Sequence, residues 1–292
     1  MPSLPFHTLD VFTQTPFTGN PLAVVLDADG LTTAQMQRIA AEFNLSETVF
    51  VQKPVQGGTV RVRIFTPTLE LPFAGHPTVG TAVLLAELGL AQGGQVVLEE
   101  NVGLVAVRLE QQSGQPWFGE LSSAIAPELR AADYDVAQLP AVLGLEPAAI
   151  SAVQMASCGN PVSIVRLAQP EQLSAIRFDA QKCRALLAGS WAHGLYTVAP
   201  GYEGEWQVRF FAPDLGVGED PATGSAAVAF AGALAAADLR ADAREELRIV
   251  QGVAMGRPSQ LFASWEKRGG VIAAVRVGGY AVRVTSGVIR VG

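Results

Sequence analysis

One passage occurs twice in this chain, and few folds can satisfy it. Arg63-Ile-Phe-Thr-Pro67 reads as a strand ending in a turn, Pro72-Phe-Ala-Gly-His-Pro-Thr78 as a Gly-rich corner, and Thr78 to Leu88 as a helix with almost no polar face. Arg209-Phe-Phe-Ala-Pro213 repeats the strand and Gly218-Glu-Asp-Pro-Ala-Thr-Gly-Ser225 the corner, and Ala222 to Ala237 is again apolar nearly all round. A helix apolar on every side must be buried on every side. Each half is therefore expected to wrap a sheet around its own helix, beginning at Pro77 and at Pro221. Aligning Gly80-Thr81-Ala82 with Gly224-Ser225-Ala226 sets His76 against Asp220 and makes the second corner shorter by two residues. Gly19-Asn20-Pro21 and Gly159-Asn160-Pro161 form an earlier matching pair. Three landmarks in one order argue for an internal duplication. Carried backward, the Arg63/Arg209 offset sets Phe50 against Tyr196 and Glu47 against His193.

A length of 292 residues suits two domains, expected over residues 1–130 and 131–292. The linker is expected within Ala126 to Ala137, and whether the last strand returns to the first domain is left open. Strands and buried helices in two similar halves predict an α+β fold of two pseudo-symmetric domains, each a curved sheet around a buried central helix. The net charge of −7, with no basic cluster, argues against a nucleic-acid surface. The start lacks the charge and apolar run of a signal peptide, and the longest apolar stretch, around Ala226 to Ala237, is too short to span a membrane. A soluble, cytoplasmic protein is expected. Cys158 and Cys183 are the only cysteines and His7, His76 and His193 are scattered, so neither a disulfide framework nor a metal site is expected. The loop carrying Gly252, Gly256 and Pro258 lacks the Lys-Ser/Thr of a P-loop, which argues against nucleotide binding.

Glu47 lies between a helix end and an apolar strand. It reads either as a solvated carboxylate or as an acid–base group whose pKa is raised in a cleft. His76 and Asp220 each precede a buried helix; they read as proton carriers facing one inter-domain cleft or as simple capping groups. Gly224 and Ser225 present donors at a helix start, the kind of place that holds a carboxylate, and the helix after Gly75 offers the same. Arg63 and Arg209, repeated in both halves, are expected to brace the two corners.

Thr18-Gly-Asn-Pro21, Ser46-Glu-Thr48, Phe65-Thr-Pro67, Pro72-Phe-Ala-Gly-His-Pro-Thr78, Gly218-Glu-Asp-Pro-Ala-Thr-Gly-Ser225 and Gln251-Gly-Val-Ala-Met-Gly-Arg-Pro-Ser259 together resemble the PhzF-like family of phenazine-biosynthesis-type isomerases. The resemblance covers essentially the whole chain. It implies a diaminopimelate-epimerase-like fold with the active site between two domains, no cofactor, and often a homodimer. It also implies Glu47 as the acid–base glutamate, His76 and Asp220 as its catalytic companions, and Gly75, Gly224 and Ser225 as anion-holding residues. The thiols of related two-base epimerases are missing from these corners. The expected activity is therefore a cofactor-independent isomerase that moves a proton between carbons of a small carboxylate. A non-thiol racemase or epimerase, and a metabolite-binding protein without turnover, stand as alternatives.

Overall fold

The structure, a computed structural model, describes residues 3–291 apart from Gln92 and Gly216. Two compact units make up the chain: one runs to Ser122 and resumes at Gly278, and the other is Ser123–Val277. The first unit contains β1 (Ser3–Val11), β2 (Asn20–Val25), α1 (Thr33–Phe43), β3 (Glu47–Gln52), β4 (Val60–Phe65), β5 (Glu70–Leu71), α2 (Gly75–Glu87), β6 (Gln95–Glu100), β7 (Gly103–Glu110) and β8 (Phe118–Ser122). The second contains β9 (Glu128–Arg130), α3 (Leu139–Leu143), β10 (Ile150–Ser157), β11 (Val162–Leu167), α4 (Pro170–Ala175), α5 (Ala180–Leu187), β12 (Leu195–Pro200), β13 (Trp206–Ala212), β14 (Val217–Asp220), α6 (Gly224–Ala237), β15 (Ala243–Gln251) and β16 (Ser259–Arg268). Last comes β17 (Val271–Arg290), which passes from the second unit into the first.

Strand pairing shows the duplication directly. In the first unit β1 and β2 are antiparallel, β2 and β3 parallel, and β3 and β4 antiparallel; β4 then pairs β5 antiparallel and β6 parallel, and β6 pairs β7 antiparallel. In the second unit β10 to β16 repeat the six pairings in the same order and sense. Each parallel step needs a crossover, which α1 and then α2 supply in the first unit, and α4 with α5 and then α6 in the second. The first sheet closes on itself, because β7 pairs β8, β8 pairs β17, and β17 pairs β1.

Each unit is built around its apolar helix. Every residue of α2 from Gly75 to Leu85 is buried, and α6 is buried along nearly its whole length. Glycine permits the close approach. A Cβ at Gly80 would lie 2.6 Å from Val11 and 2.7 Å from Leu22, and one at Gly232 2.7 Å from Pro127.

The structure corrects the sequence alignment in two places. Phe50 stands across from Arg63, whereas it is Thr197 that stands across from Arg209. Phe50 therefore matches Thr197, and Glu47 matches Gly194 rather than His193, because the β3–β4 loop is one residue longer than its counterpart. The helices also start elsewhere, at Gly75, two residues before Pro77, and at Gly224, three residues past Pro221. Arg63 holds Glu70 through two bonds of 2.8 and 2.6 Å, and Arg209 holds Glu219 through two of 2.8 Å. Each of these acids lies five residues before its helix start. Pro72-Phe-Ala-Gly-His76 thus matches Pro221-Ala-Thr-Gly-Ser225, and the second corner is three residues longer, not two shorter. His76 pairs with Ser225, while Asp220 takes the place of Leu71. A helix apolar all round carries no marked face, so its sequence fixes no phase and the two Gly-Thr/Ser-Ala triplets align in a register the fold does not use.

One more expectation fails locally. The stretch Ala126 to Ala137 contains β9, paired with β10, so it is no free linker. The chain after Gly270 runs as one long strand, β17. Gly278 does not turn the chain: a side chain there would meet the Gly119 carbonyl at 2.7 Å and the Phe118 ring at 2.8 Å, and its bareness lets the strand pass.

Candidate active site

Glu47 opens β3, beside Leu22 of β2. Its carboxylate Oε2 lies 3.3 Å from Nε2 of His76, the second residue of α2, and the two side chains are only 14% and 6% exposed. His76 also bonds the backbone of Pro21. Proline has no N–H, so the ring must donate to the Pro21 carbonyl. Nε2 makes no hydrogen bond within the described residues, so the donor is Nδ1, and a neutral ring turns a bare Nε2 toward Glu47. Burial keeps the ring neutral by driving its pKa down to about 3. Two acceptors at 3.3 Å have room for one proton between them. That is the arrangement of a carboxyl that can hold a proton and release it.

The Gly-Asn-Pro corner thereby gains a role that sequence reasoning missed. It sets the tautomer of His76, and the signal was its recurrence in both halves. In the second unit the matching carbonyl, of Pro161, accepts the backbone N–H of His193 at 3.0 Å instead.

Three of the other helices, α1, α4 and α5, are capped by side chains. Thr32 and Gln35 form a capping box on α1, and Asp179 caps α5. The two central helices have no side-chain cap. On α2 the capping position is Ala74, which has no group to offer. On α6 it is Thr223, whose hydroxyl donates to the Asp220 carboxylate instead. The first-turn N–H groups, with the positive end of each helix dipole, are therefore left for an anion. Gly75 and Gly224 head these turns, and Ser225 adds a half-buried hydroxyl to the second. Buried polar atoms without a hydrogen-bond partner within the described residues include Thr48 Oγ1, His76 Nε2, Thr81 Oγ1 and Glu100 Oε2. These belong to the start of β3, to α2, and to the end of β6 beside it.

Asp220 ends β14 and is part-buried. Gln251 Nε2 donates to its backbone carbonyl at 2.7 Å and to Thr223 Oγ1 at 3.0 Å, so the whole corner is braced. Among the described residues no group of three or more His, Cys, Asp or Glu is placed to hold a metal ion. Among the described residues no helix is long and apolar enough to cross a membrane.

The chain is strand-rich α/β and is folded twice around a buried helix with an uncapped start, with a Glu–His pair at one of the two. The profile of phenazine biosynthesis-like proteins (PhzC-PhzF) matches residues 9–287, and the chain belongs to that family. It is 44% identical over 290 residues to an uncharacterized isomerase of Mesorhizobium japonicum, covering 95% of this chain and 96% of that one. It is 39% identical over 281 residues to the trans-2,3-dihydro-3-hydroxyanthranilate isomerase of Pseudomonas fluorescens, covering 96% and 97%. Among solved structures, a Bacillus anthracis protein of the PhzF family superposes with a TM-score of 0.90 at 26% identity, over 100% of both chains.

Proposed function

We propose that this isomerase moves a proton between two carbons of a small cyclic carboxylate, with Glu47 as the acid–base group and no cofactor. Its wider architecture is then that of the diaminopimelate-epimerase-like proteins. The observation that carries the proposal is the Glu47–His76 pair at 3.3 Å beside the uncapped start of α2. The pair handles a proton, and the helix end holds a negative charge. Gly75 serves as an anion donor, and Gly224 and Ser225 as further substrate-binding donors. Asp220, oriented by Thr223, receives a substrate amine or hydroxyl.

The chemistry of a dihydro-hydroxyanthranilate fits these groups. Removing the hydrogen from the ring carbon that bears the hydroxyl places charge in a conjugated system ending at the carboxylate. Donors fixed on that carboxylate stabilise the charge as it develops. Returning the proton elsewhere along the system leaves an isomer, with atoms and electrons balanced. Incubation with trans-2,3-dihydro-3-hydroxyanthranilate, followed by proton NMR, tests this reading. Loss of the olefinic pattern at catalytic enzyme concentration supports it, and an unchanged spectrum rejects this substrate class.

A further inference from the structure

Glu100 is the buried carboxyl that the proton transfer above does not use. It ends β6 beneath the first turn of α2 and is 6% exposed. Its Oε1 lies 2.6 Å from Thr78 Oγ1, and its Oε2 has no hydrogen-bond partner within the described residues. Thr78 Oγ1 also lies 2.7 Å from the carbonyl of Ala74. A hydroxyl has one proton, and a carbonyl can only accept. If the Thr78 proton goes to Ala74, Glu100 must supply the proton of the other bond and is a neutral acid. The opposite assignment would leave a buried, ionised carboxylate with a single donor, which is strongly disfavoured. Burial accordingly raises its pKa to about 8, against the smaller opposing effect of Thr78.

The chain of bonds ends at the proposed anion site. The Ala74 carbonyl, which also accepts the Thr78 N–H at 3.2 Å, shares one planar peptide with the N–H of Gly75. Fixing the carbonyl fixes the direction of that N–H. A neutral Glu100 also leaves the positive helix end uncancelled, whereas an ionised one would compete with a bound anion. We infer that Glu100, in its protonated form, is a positioning residue that acts through Thr78 and the Ala74–Gly75 peptide to aim the Gly75 N–H at the substrate carboxylate. This rests on the function proposed above.

Ionisable groups on the elements around β6 are His76 and Glu87 on α2, Arg61 and Arg63 on β4, and Arg108 and Glu110 on β7. Glu70 on β5 is closed on Arg63 and accepts from Asn101. None of them bonds the Glu100 carboxyl, whose protonation is set by burial and Thr78.

The test compares wild type, Glu100→Gln and Glu100→Leu for KM and kcat on trans-2,3-dihydro-3-hydroxyanthranilate from pH 6 to 9.5. Isotope-edited infrared spectra of the same proteins report any protonated carboxyl. Glutamine keeps a donor to Thr78 but cannot ionise. Wild-type KM is expected to rise by about tenfold per pH unit above its limb, with kcat changing less. Glu100→Gln should keep the pH 7 value and lose the limb, and Glu100→Leu should show a raised KM at every pH. The acid carbonyl band should be present in wild type at pH 7, absent above the limb, and missing from Glu100→Gln. A limb that persists in Glu100→Gln, or no Glu100-dependent acid band at pH 7, overturns the inference. A wild type inert toward this substrate, with the band intact, sinks the functional reading and leaves the protonated Glu100 supported.

Discussion

The two units repeat six strand pairings around a buried helix, yet among the described residues only the first brings a glutamate and a histidine together at the start of that helix. Where the first has Glu47 at the head of β3, the second has Gly194 just before β12. A Cβ at Gly194 would meet the Phe210 ring and the Phe211 carbonyl at 2.8 Å, so no acid can stand there without displacing the core. Where the first has His76 in the opening turn of its helix, the second has Ser225. The brace that shapes each corner is shared: Arg63–Glu70 and Arg209–Glu219, with each guanidinium also over a phenylalanine ring, at 5.2 and 5.0 Å. Duplication kept the scaffold and the uncapped helix start. The units differ in the few side chains that the scaffold presents.

The largest expected effect is on that divergence. Glu47→Gln should keep the fold and lose turnover by ~10²–10⁴-fold, the worth of a positioned acid–base group, in a stopped assay of the isomerisation. Near-wild-type turnover would erase the functional difference between the units. The shared braces should respond alike. Removing either guanidinium, by Arg63→Ala or Arg209→Ala, leaves a part-buried acid without its partner, and each should cost of order 3 kcal/mol in urea unfolding. A large cost in one unit only would show that the scaffold is not equivalent in the two. Ser225→Ala should weaken binding of a carboxylate ligand by ~1.5–3 kcal/mol in calorimetry; unchanged affinity would show that the Ser225 hydroxyl holds no anion.

The smallest effects concern stability against pH. The folded-state pKa of His76 is depressed, so its share of stability is present above the unfolded value of 6.5 and is lost as pH falls toward about 3. The folded-state pKa of Glu100 is raised, so its share is present below 4.5 and is lost as pH rises through about 8. Urea midpoints across these windows should flatten on the acid side in His76→Gln and on the alkaline side in Glu100→Gln. Parallel curves for wild type and variants would contradict both assignments.

Much of this was legible in the sequence. An apolar helix without a polar face announces its own burial, and two copies announce the duplication. Glu47 and His76 were both identified, and they meet. The phase of the second corner was not legible, because Gly-Ser-Ala and Gly-Thr-Ala look alike along a helix with no marked side; the Arg–Glu braces decide it, and they are visible only as contacts. Glu100 was hidden for another reason. On the strand it follows Leu98 and Glu99 with no sign that it turns inward, and only its contact with Thr78 shows what it holds.

The most direct test of the central claim follows the moving hydrogen itself. Wild type and Glu47→Gln are incubated with trans-2,3-dihydro-3-hydroxyanthranilate in deuterated water, and the ring positions are read by NMR and mass spectrometry. If Glu47 carries the proton, wild type exchanges the mobile hydrogen with solvent or delivers it to the second carbon, and Glu47→Gln, folded and still able to bind, does neither. Transfer or exchange in Glu47→Gln at the wild-type rate would contradict the account and move the base to another residue.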